Sequence, residues 1–270
     1  MDDLAIAESV NMGSQLTAVP VQNRPLPDTF RARTDHKFET SESQVFDQLR
    51  KVQDYAVTNK MKLNLAKTKL MLFNPCRSKD FMPEIAIDKT RLDLVEQTKL
   101  LGVVLTSNLS WEENTQYISE RCNGKIWMIK RLKNLGANQD DLLDVFFKQI
   151  RSLAEFSAPV WNSSLTGDQV ASIERIQKTV LHIILGEEYK SYNSALKVMG
   201  LEKLSNIRRK ICSKFAKKSQ KHDKFSKWFK PNHRMVKRIK QNKFCPVICK
   251  TLRFEKCPLS YLTKLLNNKL

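Results

Sequence analysis

Two short apolar runs limit how this chain folds. Leu70, Met71, Leu72 and Phe73 form the first, closed by Asn74-Pro75; Leu100 to Leu105 form the second, with Gly102 inside it. Apolar runs of this length between turn signals read as buried strands rather than helices. A glycine within a strand marks a bulge or a close approach by another backbone. Between the runs, Ile85 and Ile87, then Leu92 and Leu94, alternate with polar neighbours around Asp88-Lys89. That pattern reads as a small antiparallel unit over 84–105.

Helical periodicity flanks this unit. Ser41-Glu-Ser-Gln44 is a capping-box start, and Val45, Leu49, Val52 and Ala56 follow at helical spacing, so a helix is expected over 42–60. Ser110-Trp-Glu-Glu113 is a second capping box, for a helix to about Leu135 with Tyr117, Cys122, Ile126, Ile129 and Leu132 on its apolar face. Asn138 caps a third helix, through Leu142, Leu143, Val145, Phe146, Ile150 and Leu153, with Pro159 and Trp161 at its end. Thr166-Gly-Asp-Gln169 opens a fourth, stopped by Gly186. A short helix over 189–199 ends at Gly200, and Leu204, Ile207, Ile211 and Phe215 mark one more. Residues 11–40, with Gly13 and three prolines, read as a loop insertion.

These residues carry a resemblance. "LNLAKTKLMLF" (63–73) and "KLLGVVLTSNLSW" (99–111) resemble the last two palm motifs of reverse transcriptases from non-LTR retrotransposons, the LINE-type and especially jockey-like elements. Met1-Asp2-Asp3-Leu4 resembles the tail of that family's aromatic-x-Asp-Asp box. Residues 142–166 and 173–196 resemble the helical region that follows its palm. The resemblance spans roughly residues 1 to 230, in the family's order.

The resemblance implies an α+β fold: an incomplete polymerase palm of antiparallel sheet plus helix over 1–111, a thumb-like helical domain over 112–219, and a basic, aromatic-containing tail over 220–270. It implies RNA-directed DNA synthesis by two-metal phosphoryl transfer on an RNA template and DNA primer. Asp2 and Asp3 would be catalytic Mg²⁺ ligands, hard oxygen donors of the kind that ion prefers. Lys67 would assist pyrophosphate departure, and Leu101, Gly102 and Val103 would contact the primer. The family uses a further palm aspartate upstream, and only Met1 precedes Asp2 here. The 270-residue polypeptide by itself is therefore expected not to polymerise.

Charge points to a polyanion without help from any family. Residues 201–270 hold 21 Lys and Arg against 3 Asp and Glu, whereas 1–200 hold 26 against 25. Nearly all of the net charge of +19 lies in the last quarter, which favours nucleic acid as a partner. The candidate nucleic-acid-binding residues are Lys125, Lys130, Arg131 and Lys133 on the second helix, and Arg208, Arg209, Lys214, Lys217 and Lys218 further on. Trp228 joins them, because stacking plus phosphate charge is how sequence-tolerant single-strand binding works. A second reading stays open: a nucleic-acid-binding protein without catalysis, acting through its helices and tail.

No run of about 18 apolar residues occurs, so neither a membrane span nor a membrane partner is expected. No basic segment followed by an apolar stretch opens the sequence, and six scattered cysteines suit a reducing compartment. An intracellular place, nucleus or cytoplasm, is expected. Cys245, Cys249 and Cys257 resemble the start of a zinc knuckle, but Leu262 stands at the last ligand position, which argues against zinc.

Overall fold

The computed structural model describes residues 44–73, 86–87, 90–232 and 243–267. It is mixed helix and small sheet, mostly helical, and divides into two compact units, 1–110 and 111–270. Among the described residues, no helix is long and apolar enough to cross a membrane.

In the first unit, α1 (Gln44–Thr58) buries Leu49 and Ala56. Leu49 packs with Ile87 and Leu92, and Leu65 and Leu70 close around them. The expected strand at Lys69–Phe73 is shorter: β1 is Lys69–Leu70, paired in parallel with β4 (Asp93–Leu94). Across that pair the Lys69 ammonium lies 2.7 Å from the Asp93 carboxylate and holds its pKa below the usual range. Strands β2 (Ala86–Ile87) and β3 (Thr90–Arg91) are antiparallel, with Asp88 and Lys89 outside the described residues.

The apolar run Leu100–Leu105 is two strands rather than one. Strand β5 (Gln97–Leu100) turns through Leu101 and Gly102 into β6 (Val103–Thr106), with Leu100 opposite Val103. Both turn residues have positive φ, 47° and 83°, which is the backbone of a two-residue type I′ hairpin. That turn matches the right-handed strand twist, so the run folds back on itself despite its uniform hydrophobicity.

In the second unit, α2 (Glu112–Asn134) starts one residue past Trp111 without a side-chain cap. Trp111 rather than Ser110 holds the N-cap position; the Ser110 N–H donates to Asn108 Oδ1 and its carbonyl accepts from Thr106 Oγ1. Ile118, Cys122, Ile126 and Ile129 bury the inner face of α2. That face meets α6 (Gly167–Leu185) and the helical run 139–155. The run comprises α3 (Gln139–Val145), a π-helical turn Phe146–Arg151 and α4 (Ser152–Glu155). Asn138 Oδ1 accepts from Asp141 N–H at 2.8 Å and caps it, as its sequence indicates. It ends at Glu155; Pro159 instead sits in the first turn of α5 (Ala158–Trp161), where its missing N–H costs nothing.

Thr166 and Gln169 make the full capping box of α6. Ser191 caps α7 (Tyr192–Val198). Helix α8 (Leu204–Lys221) packs on α4, α5 and α6 and on the helix Pro258–Leu266 near the end of the chain. The free amides of Leu204 and Ser205 at its start donate to the Glu174 carboxylate of α6, at 3.0 and 3.2 Å.

Weak periodicity after Lys221 conceals further short helices among the described residues. After α9 (Asp223–Ser226) come α10 (Leu252–Glu255) and α11 (Pro258–Leu266), which buries Leu262 and Leu265. Ser164 Oγ donates to the Lys256 carbonyl, and the Asn267 amide brackets both backbone groups of Phe244.

Candidate nucleic-acid interface

Helix α8 contains no acidic residue. Lys210, Lys214, Lys217 and Lys221 recur at steps of four, three and four, which sets them on one stripe about 16 Å long. All four are exposed, with Arg209 and Lys218 beside them. Lys210 pairs with Glu202. Like charges at these spacings repel by about 0.2–0.5 kcal/mol per pair. A polyanion laid along the stripe relieves that repulsion.

Arg208 is absent from this face. It is 0% exposed, on the face that also buries Leu204, Cys212, Ala216 and Ser219. Its Nε donates to Asn162 Oδ1 at 2.9 Å, and its guanidinium lies 5.6 Å from the centre of the Trp161 ring. Burial pushes its pKa down, and Glu174 and Glu155 oppose that only in part. The sequence sets Arg208 among the phosphate-binding cations; the fold closes Trp161 and α11 over it.

Just past α8, rings stack in sequence. His222 lies 5.0 Å from Phe225, and Phe225 lies 4.8 Å from Trp228, which is 48% exposed. Lys221, Lys224 and Lys227 are exposed in the same segment. Phe229 is buried edge-on to Phe244.

On α2 the four candidate cations divide. The Lys133 ammonium donates to the carbonyls of Ile183 and Ile184 at the end of α6, and the Lys125 ammonium donates to Gln149. Lys133 is thus turned to the end of α6, and Lys125 is tied at the surface to exposed Gln149. Lys130 and Arg131 face outward, and Arg131 stacks over Trp127 at 5.3 Å. Trp127 is 61% exposed, and the sequence reading does not single it out; its place one turn before Lys130 and Arg131 was the available signal.

Chain 1–43, which contains Asp2 and Asp3, lies outside the described residues. Lys67 is exposed in a turn set by Asn64, whose carbonyl and side-chain oxygen both accept from its N–H. Leu101, Gly102 and Val103 come together at the tip of the β5–β6 hairpin. Among the described residues no group of His, Cys, Asp or Glu is arranged to hold a metal. Cys245 Sγ donates weakly to the Pro231 carbonyl, and Cys249 Sγ lies 3.5 Å from Ser260 Oγ.

No family model, curated protein or solved structure matches this chain.

Proposed function

We propose that the helical unit 111–270 binds nucleic acid along α8, and that the chain carries the later palm and the thumb of a non-LTR retrotransposon reverse transcriptase. The acid-free lysine stripe of α8, continued by the rings of Phe225 and Trp228, carries the binding part of this reading. Phosphates would lie along Lys214, Lys217 and Lys221, and a base would stack on Trp228. The reverse-transcriptase part rests on the ordered sequence blocks. A tight β-hairpin followed at once by a helical unit is compatible with a palm edge leading into a thumb. In that setting the Leu101–Gly102 tip would meet the primer backbone, and Lys67 would face the leaving pyrophosphate. Mg²⁺, bound by Asp2 and Asp3, would supply charge stabilisation to the attacking and leaving oxygens.

The test is a salt titration of binding to a labelled single-stranded oligonucleotide, read by fluorescence anisotropy. Each phosphate contact contributes about 0.7 to the slope of log K against log salt. Replacing Lys214, Lys217 and Lys221 by Gln is expected to lower the slope by about 2 with the fold intact. An unchanged slope would remove α8 as the binding element.

A further inference from the structure

We infer that the outward face of α2 around Trp127 is a stacking site for one unpaired base of single-stranded RNA or DNA. This rests on the nucleic-acid reading above but concerns a different helix and different residues.

Trp127 is the anomaly on α2. The helix has an ample inner face in Ile118, Cys122, Ile126 and Ile129, yet its largest side chain is on the other side, in water. One turn later, Arg131 covers the indole at 5.3 Å and sets a fixed charge beside it. One turn earlier comes Gly124, in the helix interior. No atom lies within 4 Å of where its Cβ would be, so internal packing does not require a glycine there. Residues three apart on a helix are neighbours, so this missing side chain leaves a hollow against the indole. An exposed ring, a cation fixed over it and an open flank together make a slot for a flat ligand.

Charge selects the ligand. From Gly124 to Leu135 the helix contains Lys125, Lys130, Arg131 and Lys133 and no acid. The nearest exposed acid on this face, Glu120, is held by Gln116 one turn further back. With Lys133 held by the end of α6 and Lys125 held by Gln149, Lys130 and Arg131 supply the positive charge beside the indole. A protein hot spot would surround the indole with apolar neighbours that exclude water. Here its neighbours are Asn123, Gly124, Lys130, Arg131 and Asn134, all exposed. A base between ring and hollow, with its phosphate on Lys130 or Arg131, satisfies every part. Bases in a duplex already stack on one another, so the site selects unpaired strand.

Tryptophan emission tests this on the full chain. Of its four tryptophans, Trp111 and Trp161 are buried and Trp228 is half exposed. In a Trp228→Phe background, Trp127 is the chief solvent-facing reporter. Single-stranded RNA and single-stranded DNA are each expected to quench it, and a blunt duplex is not. Trp127→Ala is expected to weaken single-strand binding about tenfold, within the range for one stacked base, and Trp127→Phe to restore most of it. Gly124→Gln fills the hollow on an exposed helical position that tolerates it. It is expected to raise thermal stability and lower single-strand affinity. If anisotropy shows binding while Trp127 emission is unmoved, or the duplex quenches equally, the site on α2 is wrong and the α8 reading stands. If Gly124→Gln leaves affinity intact, the slot is wrong too. Absence of binding by anisotropy at low salt overturns both.

Discussion

The Lys133 ammonium, on α2, donates to the Ile184 carbonyl at 3.2 Å and also to that of Ile183, closing the C-terminal end of α6. A cation at a helix C-terminus meets both the unpaired carbonyls and the negative end of the dipole. It also fixes the next residue: a Cβ on Gly186 would lie 2.9 Å from Lys133 Nζ, at a φ of 58°. Lys133→Met is therefore expected to destabilise the helical unit by about 1.5 kcal/mol in urea unfolding. The single-strand salt slope should stay where it was. Lys130→Met should do the reverse, lowering affinity with little change in stability. Exchange of those two outcomes would mean that Lys133, not Lys130, meets phosphate.

Arg208 offers a different stability test. Nη1 and Nη2 of its buried guanidinium have no hydrogen-bond partner, while Nε alone is held by Asn162. A buried cation so incompletely paired is a weak stabiliser, and an apolar side chain of similar volume often serves as well. Arg208→Met is expected to equal or exceed the wild type in urea midpoint. Arg208→Ala, which leaves a cavity over Trp161, should lose about 3 kcal/mol. Equal losses in both variants would show that the charge itself supports the fold.

Alkaline pH should weaken the helical unit. Burial pushes the Cys122 thiol up to about 12 and the Cys212 thiol up to about 11, and raises the Tyr192 and Tyr261 hydroxyls as well. Above about pH 9 an unfolded chain releases its thiol protons while the folded one keeps them. The unfolded state then binds fewer protons, so stability is complete below pH 9 and falls as pH rises through 11 to 12. Unfolding midpoints across pH 8 to 11 check this, and Cys122→Ala with Cys212→Ala should flatten the curve. Among the cysteines of the described residues, a thiol reagent at pH 8 should label exposed Cys245 first and spare Cys122 and Cys212.

What could be read in the chain was local. Asn138 and Thr166 bond to backbone three residues away, so a sequence window holds the whole capping interaction. The inward face of α8 is not local. Ile207, Ile211 and Phe215 lie on the stripe next to Leu204, Arg208 and Cys212, and partners far along the chain, Trp161 and α11, decide which is covered. Lys133 bonds a residue 50 positions on, which no periodicity reveals. For the α2 slot, the glycine and the tryptophan were both visible, but their exposure was not.

Leu101 stands at the first turn position of the β5–β6 hairpin with φ 47° and is 65% exposed. Type I′ turns favour Asn-Gly there, because a side chain with Cβ pays roughly 1 kcal/mol in the left-handed region. Gly102 meets the second requirement; Leu101 does not meet the first. Strain held at an exposed tip is the kind that function can retain. Leu101→Asn is expected to raise the stability of the hairpin by about 1 kcal/mol, read as slower amide exchange at Val103 and Leu100. If Leu101 meets a primer, the same variant should weaken binding of a primer–template duplex. A hairpin that exchanges faster after the substitution would show that the leucine is held there by packing and not against its preference.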